Sequence, residues 1–176
     1  SDFMKKLTKA MVAASTIATL SLGTLAVNAT DAHAETTPSA TQAKFVLEGN
    51  AGDDASFLTS PQFIEGLNGG GMMFNGYYMT THVSTPDYHQ HKVHDQVIQT
   101  VGEGKSARSV SFNVTDTSVT VEQLKAAYGK DLGQLYHSGS TPDDGLYYYD
   151  KGQYPIQFNV EDGHVVNVLI GDPVTD

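Results

Sequence analysis

Three histidines at short spacing form the densest group of candidate ligands in the sequence. His89, His91 and His94 follow Pro86 within a few residues, and His82 lies just upstream. In an extended segment His89 and His91 project to the same side, and imidazole is a good ligand for zinc, copper or nickel. The spacing matches no zinc finger, and a solvated polar loop is the alternative. We therefore predict weak, adventitious metal binding at these three histidines and no cofactor.

Tyrosines are the second group of candidate binding residues. Tyr147, Tyr148 and Tyr149 lie in one predicted strand, where alternation puts Tyr147 and Tyr149 on one face. Exposed tyrosine rings stack on unpaired bases whatever the base sequence, and Tyr78 invites the same interpretation. The alternative is that one face packs on a helix, because aromatic residues are common in strands.

Lysines near these aromatic residues are candidates for phosphate contacts. Lys125, Lys130 and Lys151 are the first choices, with Lys105 and Arg108 beside them. They form no run, so ordinary solvated surface charge is the alternative. The predicted nucleic-acid-binding set is Tyr78, Tyr147, Tyr149, Lys125, Lys130 and Lys151.

Catalytic motifs are missing from the sequence. The chain has no cysteine, which excludes a thiol nucleophile and a cysteine-ligated zinc site. No Gly-x-Ser-x-Gly elbow occurs, and residues 102–106 are predicted to form a hairpin turn, because no helix follows to bind a phosphate. We predict that the protein is not an enzyme.

Two helices are predicted to position these side chains. Ser60 and Pro61 start a short one, because serine caps the first turn and proline there lacks an N–H that would go unused. The second begins after Thr120, which forms a capping box with Gln123, and it ends near Gly129.

Strand candidates follow each helix. They comprise residues 72–81, 93–101 and 108–115 after the first, and 146–149, 154–160 and 164–170 after the second. Asp162-Gly163 is a hairpin signal. The order helix–strand–strand–strand occurs twice in tandem, which predicts an α+β fold with an antiparallel sheet and two helices. The predicted core contains Leu124, Tyr128, Phe112, Phe158, Val166 and Val168.

Residues 1–34 are predicted to be a signal peptide with a short extension before Met4. Lysines follow Met4, residues 10–27 are uncharged, and Ala-His-Ala at 32–34 fits the small-x-small cleavage pattern. A membrane anchor is the alternative, but the apolar run is short and diluted by hydroxyls.

The remainder divides into two predicted parts. Residues 35–43, rich in threonine, serine, alanine and proline, read as a flexible exit segment, and residues 44–176 as a single α+β domain. The cleaved product is expected to be secreted, either extracellular or loosely associated with the cell surface, with no membrane contact.

The charge balance limits the choice of partner. The 176 residues include 10 Lys+Arg and 20 Asp+Glu, a net charge of −10. Removing residues 1–34 takes away three lysines and two aspartates, which leaves −11. Such a charge repels polyanions at long range and argues against a basic DNA-binding domain.

Three segments resemble a known family. They are Thr120-Val-Glu-Gln-Leu-Lys-Ala-Ala-Tyr-Gly-Lys-Asp-Leu132, Gly145-Leu-Tyr-Tyr-Tyr149 and Gly163-His-Val-Val-Asn-Val168. With Phe74-Asn75-Gly76 upstream, they are similar to the immunodominant staphylococcal antigen B family over nearly the whole chain after the leader. The resemblance implies a small secreted or surface-associated protein that binds nucleic acid without sequence preference and contributes to virulence; no catalytic residues are known for the family.

Two functions remain open. The resemblance favours nucleic acid as the partner, whereas the acidity weakens that expectation. The alternative is an extracellular module that engages a host or bacterial protein through its sheet face or loops.

Overall fold

The computed structural model describes residues 42–81 and 87–174. The predicted signal peptide, residues 35–41 of the exit segment, His82 and Pro86 lie outside these residues. Within the described stretches no helix is long and apolar enough to cross a membrane.

The described residues contain ten strands that form one sheet. They are β1 (Phe45–Leu47), β2 (Met72–Phe74), β3 (Tyr77–Met79), β4 (Tyr88–Val93), β5 (Gln96–Val101), β6 (Ser106–Asn113), β7 (Gly133–His137), β8 (Gly145–Tyr149), β9 (Ile156–Glu161) and β10 (His164–Gly171). The order is β1-β2-β3-β6-β10-β9-β8-β7, with β5 on the other side of β6 and β4 beyond β5. Only the β1–β2 and β3–β6 pairs are parallel.

Strand β6 joins the two halves of the chain. Its register with β10 pairs Phe112 with Val168, and its other edge pairs with β5. The Asp172 N–H donates to the Arg108 carbonyl, and the Thr80 N–H donates to the Ala107 carbonyl. Strands β10 and β3 therefore share one edge of β6, and their C-terminal ends meet near Arg108.

Two helices begin with the predicted caps. In α1 (Pro61–Glu65) the Phe63 N–H donates to Ser60 Oγ at 3.2 Å. In α2 (Val121–Tyr128) the Gln123 N–H donates to Thr120 Oγ1 at 3.1 Å, and the Thr120 N–H donates to Gln123 Oε1 at 2.9 Å. These reciprocal bonds are the predicted capping box.

Both helices pack on the same face of the sheet, named here the inner face. From α1, Phe63 meets Phe45 with ring centroids 5.0 Å apart. From α2, Tyr128 meets Tyr149 at 5.0 Å and Phe158 at 5.3 Å. The opposite, outer face carries no helix among the described elements.

One predicted core residue is wrong. Leu124, Tyr128, Phe112, Phe158 and Val168 are buried. Val166 is only partly buried, because a bulge between Val165 and Asn167 shifts the alternation of β10 and turns Val165 inward instead.

The α+β fold is confirmed, but each helix precedes more strands than predicted. Residues 72–81 form the hairpin β2–β3, because Asn75 and Gly76 turn the chain with φ of 51° and 85°. The histidine-rich stretch, predicted as a loop, is β4, which pairs with β5. Strand β7 was not predicted, so five strands follow α1 and four follow α2.

Candidate functional site

The inner tyrosines of β8 are buried. Tyr147 is 2% exposed and Tyr149 is 6% exposed. The Tyr147 hydroxyl donates to the Asp143 carbonyl at 2.9 Å, and the Tyr149 hydroxyl donates to Asn68 Oδ1 at 3.0 Å. Burial also raises the pKa of Tyr147. With both rings inside the core, neither offers a face on which a base can stack.

The three predicted lysines lie on the α2 and β8 side of the molecule. Lys125 Nζ donates to Asp143 Oδ1 at 3.0 Å, and this bond raises the pKa of Lys125. Lys130 lies in the 3-10 turn after α2, and Lys151 in the turn after β8. Strand β3, which carries Tyr78, is separated from β8 by β6, β10 and β9, so Tyr78 does not lie beside Lys125 and the predicted set does not form one patch.

Tyr78 has different basic neighbours. It is partly exposed on the outer side of β3, and its N–H donates to the Lys105 carbonyl at 3.0 Å. The parallel register pairs Tyr78 with Ser106, so Thr80 lies beside Arg108. Tyr78 thus lies beside the backbone of Lys105 and two residues before Thr80, which lines a cleft at Arg108. We name Tyr78, Lys105 and Arg108 the β3–β6 corner.

A small cleft opens at Arg108. It has a volume of about 110 Å³, and its walls include Thr80, Thr81, Tyr154 and Asp172. Arg108 Nε donates to the Asp172 carbonyl at 2.7 Å, which fixes the side chain. The two terminal guanidinium nitrogens have no partner among the described residues, so they remain available to an anion.

Lys105 is held by an aromatic ring. Its Nζ lies 4.1 Å from the centroid of the Tyr77 ring, and the Tyr77 ring lies 5.6 Å from that of His91. His91 Nε2 is 3.0 Å from Thr100 Oγ1. A cation over an aromatic face is attracted by the ring quadrupole, so the ammonium group is positioned while it stays exposed.

The other histidines have separate surroundings. His89 Nε2 lies 3.5 Å from Asp87 Oδ1, and His94 occupies the β4–β5 turn with a φ of 53°. Neighbouring Asp95 accepts bonds from the N–H groups of Ala51 and Gly52 at 2.8 and 2.7 Å. Residues 42–81 and 87–174 contain no group of three or more His, Cys, Asp or Glu arranged to hold a metal ion. The geometry therefore gives no support to the predicted metal site.

Asp144 organises the loop that precedes β8. It is 1% exposed and accepts hydrogen bonds from Thr141 Oγ1 at 2.8 Å and from the Gly163 N–H at 3.1 Å. Burial alone would raise the pKa of this carboxyl, but these bonds outweigh it and lower the pKa to about 2. The carboxylate fixes the loop and is not free to act as a base.

Sequence reasoning missed how the β3–β6 corner is assembled. Lys105 and Arg108 were named as phosphate candidates, but no local pattern predicts that β6 pairs with β3 in parallel. Such pairing joins residues far apart in the chain, and hydrophobic periodicity carries no information about it. The Asn75-Gly76 turn, which creates β3, is the one local signal that points to this corner.

Comparisons with known proteins agree on one family. A family model described as immunodominant staphylococcal antigen B matches residues 45–170. Proteins with that name from Staphylococcus aureus strains USA300, NCTC 8325 / PS 47 and COL are each 30% identical over 175 residues, 96% of this chain and 95% of each relative. No solved structure matches the chain significantly.

Proposed function

Because the chain belongs to the immunodominant staphylococcal antigen B family, we propose that it is a secreted, non-enzymatic antigen that binds nucleic acid without sequence preference and contributes to virulence. An antigen must reach the host, which agrees with the signal peptide predicted at residues 1–34. The nucleic-acid partner follows from the resemblance and needs a site that an acidic protein can provide.

The observation that carries the proposal is that β3 brings the partly exposed Tyr78 beside the backbone of Lys105 and close to the Arg108 cleft, which Thr80 lines. An accessible ring beside cations is the pattern by which proteins bind single strands, because the ring stacks on a base while the cations contact phosphates. The Arg108 cleft, with Thr80 and Thr81 in its walls, offers a place for one phosphate, and the acidic Asp172 in another wall keeps that contact weak.

The same geometry limits the strength of the electrostatic contribution. Lys105 and Arg108 are the two cations of the corner, while Lys125 and Lys130 lie on the α2 side. Few phosphates would be neutralised, so the slope of log affinity against log salt should correspond to about two or three charges. Affinity then depends on stacking, which favours single strands over duplexes.

The test is a fluorescence-anisotropy titration of labelled single- and double-stranded oligonucleotides at two salt concentrations. Tyr78→Ala should weaken single-strand binding by about 5- to 150-fold, the equivalent of 1–3 kcal/mol per stacked base. Lys105→Gln should reduce the salt slope by about one charge. Lys125→Gln, which removes an equal charge on α2 beside Asp143, is the control and should change neither.

Loss of binding in Lys125→Gln but not in Lys105→Gln would move the site away from the β3–β6 corner. No binding of either oligonucleotide at low salt would remove nucleic acid as the partner.

The second candidate function is a protein-binding module, and strand β7 favours it. All five residues of β7 are exposed, and they include Leu135 and Tyr136, which are 58% and 54% exposed. Strand β7 ends the sheet order, so an extended segment of a host or bacterial protein has an edge to pair with. Leu135→Pro should block such pairing and leave oligonucleotide binding unchanged.

A further inference from the structure

The outer face of the sheet carries a row of side chains that crosses five strands. The register aligns Tyr148 of β8, Gln157 of β9, Leu169 of β10, Ser111 of β6 and Val97 of β5. All five are partly exposed. The Gln157 amide and the Ser111 hydroxyl form no hydrogen bond within the described part of the chain, so both remain available to a ligand.

A second row runs parallel to the first and consists largely of amides. Asn159 Nδ2 donates to Asn167 Oδ1 at 3.4 Å, and Asn167 Nδ2 donates to Asn113 Oδ1 at 2.9 Å. Leu146 of β8 continues the row. The chain of amides fixes their orientation and leaves Asn113 Nδ2 as a donor and Asn159 Oδ1 as an acceptor for an outside group.

None of these nine side chains is charged, although the whole chain has a net charge of −10. Charges begin at the margins: Lys92 lies beyond Val97 on β4, and Asp150 and Asp172 lie near the Tyr148 hydroxyl. An anionic ligand would meet repulsion at the two acidic groups, and a cationic ligand would find no counter-charge within the rows. The face therefore suits a neutral ligand that is rich in hydrogen-bonding groups.

The size and shape of the face select among neutral ligands. Stable protein–protein interfaces use about 20–30 residues on each side, well above the number in these rows. One side is bounded by the C-terminal segment, where Gln99 exchanges hydrogen bonds with the Val174 backbone at 2.7 and 3.1 Å. The site is therefore a narrow, shallow surface that the C-terminal segment bounds on one side. Its long axis runs across the strands.

We propose that the outer face binds a neutral, extended β-1,4-linked glycan laid across the strands. Strands are about 4.8 Å apart, close to the rise per sugar in such a chain, so successive sugars meet successive strands. The Tyr148 ring would pack on the apolar face of one sugar, while Gln157, Ser111 and the asparagines bond hydroxyl or acetamido groups. The two rows include no residue of the β3–β6 corner, so the proposal does not depend on nucleic-acid binding.

The probe is chitohexaose, a neutral β-1,4-linked oligosaccharide, titrated into ¹⁵N-labelled protein and followed by amide chemical shifts. We expect saturable shifts at the two outer-face rows. Maltohexaose, an α-linked hexasaccharide whose chain curves, should cause none. Gln157→Glu, which adds one charge at the centre of the face, should weaken binding at least tenfold.

Gln62→Glu is the matched control, because it makes the same change at an exposed position on α1 and should leave the affinity unchanged within twofold. Ser111→Asp repeats the test should Gln157→Glu fail to fold. The proposal is overturned if millimolar chitohexaose causes no shifts, if the shifts lie elsewhere, or if maltohexaose acts equally. Shifts of the same rows with protein concentration alone would assign the face to self-association instead.

Discussion

Strands β8 and β3 both carry neighbouring tyrosines, yet the two strands differ in what covers them. Helix α2 lies over the inner side of β8, where Tyr147 and Tyr149 are buried with their hydroxyls bonded. Strand β3 has three residues and pairs with the beginning of β6; its Tyr77 and Tyr78 stay partly exposed, and the Tyr77 ring contacts Lys105. The same residue type therefore stabilises the core in one place and is available to a ligand in the other.

The largest expected effect is a difference in stability between tyrosine variants of the two strands. Tyr149→Ala removes a buried ring and should lower the free energy of unfolding by about 3–5 kcal/mol. Tyr78→Ala removes a partly exposed ring and should cost less than about 1 kcal/mol. Urea denaturation followed by far-ultraviolet circular dichroism measures both. Equal losses in the two variants would mean that coverage by α2 does not distinguish the strands.

The second effect is a pH dependence of stability. It arises from Asp144, in the loop that precedes β8. The pKa of Asp144 falls from its ordinary 3.8 to about 2 in the folded chain, so its contribution to stability is complete above about pH 4. That contribution is lost as the pH falls towards 2, because the unfolded chain takes up the proton first. Asp144→Asn should flatten this part of the stability profile.

Denaturation midpoints measured between pH 2 and 6 test this prediction. Asp143→Asn is the matched control, since its carboxyl is half-exposed and is hydrogen-bonded to Lys125, and its profile should follow the parent between pH 4 and 2. An unchanged slope in Asp144→Asn would assign the acid sensitivity to other carboxyls.

The smallest effect compares two lysines. Lys125 and Asp143 have side chains 51% and 44% exposed, so solvent screens their ion pair. Lys125→Gln should cost less than about 0.5 kcal/mol of stability, and Lys105→Gln should cost as little. Only Lys105→Gln should alter the salt dependence of oligonucleotide binding. If Lys125→Gln changed the salt dependence, the nucleic-acid-binding site would lie on the α2 side instead.

Local patterns in the sequence predicted the elements that rest on local interactions. The capping box of Thr120 and Gln123 and the Asp162-Gly163 turn depend on neighbouring residues, and both occur as expected. The alternation of β9 also predicted its buried side, because one face of that strand lies under α2.

Other features depend on contacts that no local pattern contains. Burial of Tyr147 and Tyr149 follows from the position of α2 over β8, and alternation alone could only place them on one face. The histidine-rich β4 was missed because its polar residues show no apolar alternation and become a strand only by pairing with β5. The β3–β6 corner requires a parallel pair whose partners lie far apart in sequence.

Strand β10 is the last strand within the described residues and nevertheless lies between β6 and β9 in the sheet. A polypeptide emerges N-terminus first from a ribosome or an export channel. The segments that form the first nine strands are therefore exposed before β10, which pairs with both β6 and β9. Pairs such as Asn113 with Asn167, 54 residues apart, can form only at the end of that passage. Removing the final strand would therefore take out the centre of the sheet and separate the two halves of the core.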